Sequence, residues 1–223
     1  MKLIITGATG MVGEGVLHEA LLDKNVEQIS VVNRRPVGYT DPRVKEIILP
    51  DFFNITHELE GIRDHDSCLF CLGVSSVGMD KDTYYQLTYT LTMNFARALI
   101  NNNPRMSFQY VSGAGTDRTE KGKIGWARVK GKTENDLMSL GFKAVYGLRP
   151  GYLHPTPGMK HTHRYYSFIS WLFRPLRLIW PNSANTLSEL GLAMLQIARN
   201  GYDKDVISIS DINLLAKKHK HNS

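Results

Sequence analysis

Thr6-Gly-Ala-Thr-Gly-Met-Val-Gly13 decides the fold. It follows directly on the apolar, β-branched run Lys2–Thr6 and opens the helix-spaced stretch Val12–Leu22. The glycines therefore fall at a strand-to-helix turn. Each has a task there. Gly7 permits the tight turn, Gly10 lets the backbone approach a diphosphate, and Gly13 lets helix and strand pack closely. The backbone from Thr9 through Met11 and Val12 then offers unpaired N–H donors at a helix N-terminus, where the helix dipole favours an anion.

Outward from this turn, short β-rich runs alternate with amphipathic stretches. Gln28–Val32, Val44–Leu49, Ser67–Leu72, Phe108–Ser112 and Lys143–Arg149 read as strands. A region from about Lys81 to Asn101 and another over Ile124–Ser139 read as helices. Continuous apolar strands separated by helices predict a parallel sheet covered on both faces. Right-handed crossovers make it a doubly wound α/β sheet of the Rossmann type. After Arg149, Pro150, Gly151, Pro155, Pro157 and Gly158 fall within nine residues, which predicts a loop over the C-terminal edge of the sheet. Ser183–Asn200 reads as a helix and Asp205–Ser210 as a final strand. One dinucleotide-binding domain is expected over 1–216. Its substrate side is expected in 150–182, and a disordered basic tail in 217–223.

The end of the second strand selects the nucleotide. A site for NAD(H) places Asp or Glu there for the ribose 2′-hydroxyl. Here the place belongs to Asn33, followed by Arg34 and Arg35. No carboxylate repels a 2′-phosphate, and two guanidiniums fork onto one. NADP(H) is therefore expected in preference to NAD(H).

Composition narrows the class. The chain has 223 residues, 42% apolar and 22% charged, as in a globular protein. Its net charge of +6 is weighted to the end, where Lys217-Lys-His-Lys-His-Asn-Ser223 alone carries three lysines. A short basic terminus is ordinarily solvated, so no nucleic-acid partner is expected. The N-terminal apolar run is too short for a signal peptide. Cys68 and Cys71 lie three apart in an apolar strand, hence on opposite faces, and read as buried small hydrophobes rather than a redox pair. These features predict a cytoplasmic location. Tyr165–Trp180 is interrupted by Arg174, Pro175 and Arg177 and is shorter than the ~20 residues of a membrane span, so it reads as a packed helix or lid. His154, His161 and His163 lack neighbouring carboxylates or thiols, and no metal site is expected.

With these residues in place the chain resembles the short-chain dehydrogenase/reductase superfamily. It is similar to the atypical branch akin to extended NAD(P)-dependent epimerases, and within that to the Tat-interacting-protein-like oxidoreductases. The resemblance runs through Thr6–Gly13, Asp51-Phe52, Cys71-Leu-Gly73, Val111-Ser112, Val129-Lys-Gly131 and Leu148-Arg-Pro-Gly151. It implies that Asp51 meets the adenine amino group, that Cys71, Leu72 and Gly73 line the cofactor's ribose, and that Pro150 and Gly151 sit beside the nicotinamide. It also implies a catalytic serine at Ser112 and a ribose-binding lysine at Lys130. The family's catalytic tyrosine would stand four residues before that lysine, and there the chain has Trp126. An indole N–H donates but does not cycle a proton at neutral pH.

Two accounts follow. Tyr84, Tyr85 or Tyr89 reaches the cleft and replaces the missing acid, or the protein keeps the cofactor and has lost the chemistry. The first gives an NADP(H)-dependent oxidoreductase acting on a small carbonyl or alcohol. The second gives a cofactor-binding regulator or scaffold. Partners compatible with both are a small-molecule substrate, a second copy in a homodimer, or another protein. The polar stretch Gly113–Lys123 beside Ser112 reads either as a mobile flap over substrate or as a solvated connection.

Overall fold

The computed structural model describes residues 1–36, 38–156 and 184–221. The expected segment 150–182 is thus described only to residue 156; His161, His163 and the run Tyr165–Trp180 lie outside the described residues, as do 222 and 223. The strands are β1 (Lys2–Thr6), β2 (Gln28–Asn33), β3 (Val44–Ile48), β4 (Ser67–Phe70), β5 (Ser107–Val111), β6 (Ala144–Leu148), β7 (Tyr152–His154), β8 (Ala184–Thr186) and β9 (Val206–Ile207). The helices are α1 (Met11–Leu22), α2 (Lys81–Tyr85), α3 (Leu91–Ile100), α4 (Gly125–Met138), α5 (Leu187–Asn200) and α6 (Ile209–His221).

Seven strands form one parallel sheet in the order β3-β2-β1-β4-β5-β6-β9, the doubly wound arrangement. Its order reverses between β1 and β4, and ligands of such sheets bind in the crevice beyond the carboxyl ends of those strands. β7 and β8 pair separately, in parallel.

Alternation along the strands divides the core. Leu3 and Ile5 pack with Val16 and Leu17 of α1 and with Leu190 and Met194 of α5. Ile4, one residue away, packs on the other face with Phe95 and Leu99 of α3 and Leu137 of α4. Each such fully buried side chain contributes about 1.5–3 kcal/mol. Cys68 belongs to the second cluster and Cys71 lies against the first. Burial pushes the Cys71 thiol up to about 12, so it is protonated and inert at neutral pH.

Several elements differ from expectation: β7 lies in the expected loop after Arg149, and β8 takes the start of the helix expected over Ser183–Asn200. The long helix between β4 and β5 contains a π-helical turn, Gln86–Thr90, and the Thr92 hydroxyl donates to the Thr88 carbonyl there (2.6 Å). The last strand is only Val206–Ile207, because Asp211 captures Ser208: its carboxylate accepts from the Ser208 amide at 3.0 Å and turns the chain into α6. The basic residues from Lys217 to His221 form the end of α6 rather than a disordered tail. His219 is buried, with Nε2 at 3.4 Å from Asp23, whose carboxylate also takes Arg199 at 2.7 Å. That contact joins the end of α1 to α5 and α6.

His65 and His219 give the fold a pH signature. Burial lowers both pKa values below the ordinary 6.5, so both are neutral in the folded state. The unfolded chain takes up protons first, and stability falls as pH drops through 6.5 toward the folded values. Urea unfolding at pH 7 and pH 5 is expected to show lower stability at pH 5, and a shallower difference in the His65→Asn/His219→Asn double variant. An unchanged difference in that variant contradicts the assignment.

Candidate functional site

The crevice at the strand reversal begins with the glycine turn. Gly7 adopts φ +71°, and a Cβ there would stand 3.0 Å from the Cys71 carbonyl. The Gly10 amide donates to the Gly7 oxygen (2.9 Å), and a Cβ on Gly13 would lie 2.2 Å from that same oxygen. Helix α1 therefore starts in direct backbone contact with the turn. Thr6 closes the reversal from the other side, its hydroxyl accepting from the Cys71 amide (3.1 Å). Thr9 and Gly10 are exposed and Met11 and Val12 half-buried, so the α1 N-terminus opens to solvent.

Asn33 supports this turn rather than merely following it. Its Oδ1 accepts from the Ala8 amide (3.1 Å), while its buried Nδ2 has no hydrogen-bond partner among the described residues. A buried amide donor without an acceptor costs about 1–3 kcal/mol, the kind of deficit an oxygen-rich ligand removes.

Two adjoining cavities share Arg34 and Pro50, and the first reaches the turn at Thr9. One, about 750 Å³, is lined by Thr9, Arg34, Arg35, Pro36 and Pro50. The other, about 250 Å³, is more enclosed by apolar groups, among them Phe52, Phe53, Leu72, Leu87 and Leu91, with Asp51 and Gly73 also at its wall. Asp51 is oriented by the Phe53 amide (2.8 Å) and the Asn54 side chain (2.6 Å). A chamber lined by two arginines thus stands beside a largely apolar slot. The phosphate, arginine and adenine-side positions expected from sequence come together here.

The other end of the crevice holds Ser112, Lys130, Pro150 and Gly151, and it is built differently from expectation. Ser112 is buried and its hydroxyl turns inward, 2.6 Å from Glu134 Oε1 and 3.1 Å from the Leu148 carbonyl. Glu134, wholly buried on α4, also binds Arg149, with Nη2 at 2.6 Å and Nε at 3.1 Å. The Lys130 ammonium donates to the backbone carbonyl of Ser112, not to its side chain. Burial pulls the Lys130 pKa down to about 8 against the opposing pull of the Glu134 charge. Pro150 is buried, its carbonyl taking the Ala114 amide (2.9 Å). Trp126 lies over Gly115, where an added Cβ would stand 3.4 Å from its ring.

The tyrosines do not converge on this end. Tyr89 donates to Asp136 (2.6 Å), which Lys132 also binds (2.9 Å), and Tyr85 packs on Tyr89 with ring centroids 4.8 Å apart. Tyr84 is buried in the core. The polar stretch after Ser112 is tethered to α4: Arg118 binds Asn135 (2.9 Å), Asn135 returns to the Arg118 carbonyl (2.9 Å), and Arg128 holds the Gly122 carbonyl (2.6 Å). It is a braced connection.

Sequence reasoning missed Glu134 and the function of Arg149. The available signal was a carboxylate four residues after Lys130, hence on the same helical face, with an arginine at the end of the adjacent strand.

No family model matches the chain. Among known proteins it is similar to two fungal ones, "Protein FMP52, mitochondrial" of Debaryomyces hansenii and "Protein fmp52-1, mitochondrial" of Aspergillus oryzae. The first is 27% identical over 157 residues, 69% of this chain and 67% of that protein. The second is 25% identical over 154 residues, 66% and 63%. The matched region is thus about two thirds of those proteins' length. The cytoplasmic location expected from sequence is corrected by these names, which are those of mitochondrial proteins. Among solved structures, a short-chain dehydrogenase/reductase of Saccharomyces cerevisiae superposes with TM-score 0.66 at 16% identity, covering 97% of this chain and 99% of that one. ADP-L-glycero-D-manno-heptose-6-epimerase of Helicobacter pylori gives 0.67 at 15%, covering 98% and 81%. The Bordetella bronchiseptica enzyme WbmF in complex with NAD+ gives 0.61 at 13%, covering 99% and 77%. The chain shares their fold.

Gly13 is the most constrained position of the turn. Gly13→Ala must push α1 away from the Gly7 carbonyl, and overpacking of this kind costs about 1–3 kcal/mol. The variant is expected to unfold at correspondingly lower urea concentration; wild-type stability would show that the turn yields freely.

Proposed function

We propose that the protein binds NADP(H) across the strand reversal, as an atypical member of the short-chain dehydrogenase/reductase superfamily. One observation carries the reading: a solvent-open chamber walled by Thr9 of the glycine turn, Arg34 and Arg35 adjoins, through Arg34 and Pro50, an apolar slot with Asp51 at its wall. The residues fit the group. The α1 N-terminus offers amides to the diphosphate, the slot suits an adenine, and the two guanidiniums suit a 2′-phosphate. The unsatisfied Asn33 Nδ2 adds a donor beside the turn and, unlike a carboxylate, does not repel the third phosphate. At the other end Lys130 would hold the nicotinamide ribose, with Pro150 and Gly151 beside it.

When bound, the cofactor supplies or accepts a hydride, and the reaction class is oxidoreduction of a small carbonyl or alcohol. Ser112 does not serve as the carbonyl-polarising group in this reading, because its hydroxyl faces Glu134. That same observation, with Trp126 in place of tyrosine, favours a second reading: a non-catalytic protein that binds NADP(H) as a redox signal or structural support. A panel of carbonyl substrates followed at the nicotinamide absorbance separates them. Turnover supports the enzyme, whereas tight NADPH binding without turnover supports the regulator. The fungal relatives further suggest a mitochondrial protein, and recovery of the native protein with the cytosol on fractionation would overturn that part.

The cofactor preference is tested directly by calorimetry. A charge-assisted contact contributes about 1.5–3 kcal/mol, roughly ten- to a hundredfold in Kd. Arg34→Ala and Arg35→Ala are each expected to weaken NADPH by that factor and to leave NADH nearly unchanged. Asn33→Asp keeps the acceptor for Ala8 but places a negative oxygen at Nδ2, and should weaken NADPH most. Wild-type protein that prefers NADH overturns the assignment.

A further inference from the structure

Glu134 is a wholly buried carboxylate in a position where burial is costly without partners, and its partners lie on three different elements. Ser112 reaches it from the end of β5 (2.6 Å), Arg149 from the end of β6 (2.6 and 3.1 Å), and Lys130 stands one turn earlier on its own helix. Space for it is made by Gly147, where a Cβ would come within 2.6 Å of the carboxyl group. In the NADP(H) reading these three neighbours are the segments that border the nicotinamide end: the Ser112–Gly115 turn, the Lys130 face of α4, and the strand end leading into Pro150-Gly151. The Lys130 ammonium is itself seated on the Ser112 carbonyl, so the serine whose hydroxyl Glu134 binds also provides the lysine's seat.

We propose that Glu134 is the positioning residue of the nicotinamide end, holding the seat of Lys130 and the charge on it, and thereby setting how tightly the nicotinamide ribose is gripped. This rests on the NADP(H) reading above. The chemistry is that of a buried triad. Arg149 neutralises most of the Glu134 charge through two hydrogen bonds, Ser112 takes one lone pair, and the residual field favours the charged form of Lys130. Burial works the other way and leaves the lysine titrating at about 8. Among the described residues the groups facing this cluster are few. From β5 come the Ser112 carbonyl and Tyr110, a buried phenol near Glu134 whose pKa lies far above the neutral range; from β6 comes Arg149; from α2 comes Tyr84, near Tyr110 and also raised by burial. Lys132 and Asp136 pair with each other and with Tyr89.

The sign follows. Below about pH 8 Lys130 is charged and attracts the polyanionic cofactor; as pH rises through that value the charge is lost and affinity falls, by up to tenfold per pH unit for one coupled proton. Glu134→Gln removes the field that opposes burial, so the Lys130 midpoint moves down and the loss of affinity begins at lower pH.

The test has two arms. In the protein without nucleotide, NMR titration of the Lys130 side chain reads the midpoint directly. It should fall in Glu134→Gln and return toward the wild-type value in Glu134→Asp, which restores the charge. A purely structural role leaves the midpoint of the folded Gln variant unmoved, and that result overturns the proposal. In the second arm, NADPH affinity is measured from pH 6.5 to 9.5. Wild-type affinity should fall above pH 8, and Lys130→Met, which keeps the Glu134–Arg149 pair, should flatten the profile even if Glu134→Gln does not fold. A slope that survives Lys130→Met overturns the proposal. Absence of NADPH binding at pH 6.5 instead defeats the cofactor reading and leaves the first arm to judge Glu134 alone.

Discussion

The Gly7 carbonyl is the point from which the molecule is organised. It accepts from Gly10 and lies where any side chain on Gly13 would stand, so β1 and α1 meet backbone to backbone. With that contact made, α1 runs along one face of the sheet, β4 falls beside β1, and the strand order reverses above them. The exposed N–H groups of α1, the ends of β2 and β4, and the cavities between them are consequences of this single close approach. No larger residue at position 13 is compatible with it.

What was legible in the sequence was whatever depends on backbone geometry and period. The glycine spacing announced the turn, apolar runs announced the parallel strands, and Asn33-Arg-Arg35 at a strand end announced two arginines that line a cavity with Thr9 of the turn. The cysteine pair was readable for the same reason: three residues apart in a strand means opposite faces, and Cys68 and Cys71 lie against different clusters. What was not legible was the direction of individual polar side chains. Ser112 sits where a cleft serine is expected, yet its hydroxyl turns toward a carboxylate 22 positions later. Nothing local reveals that choice; it requires knowing that Gly147 leaves room for Glu134 and that Arg149 stands opposite.

The stretch after Ser112 makes the same point at the level of a loop. Its glycines and charges read equally as a flap or a solvated link, but Arg118, Asn135 and Arg128 form reciprocal side-chain and backbone bonds that brace it. The end of the chain was misread for a related reason. Lysines dominate its composition, whereas one histidine in their midst, His219, decides its place by packing on Asp23. Composition describes the solvated face of a helix; the buried face is set by the few residues that differ.

The knot of Asp23, Arg199 and His219 has a bearing on how the molecule comes into being. Its first member closes α1 and the other two belong to α5 and α6, so the Asp23 carboxylate meets Arg199 and His219 only after both later helices have been made. A nascent chain stalled before position 187 exposes to water the flank of α1 that α5 later covers.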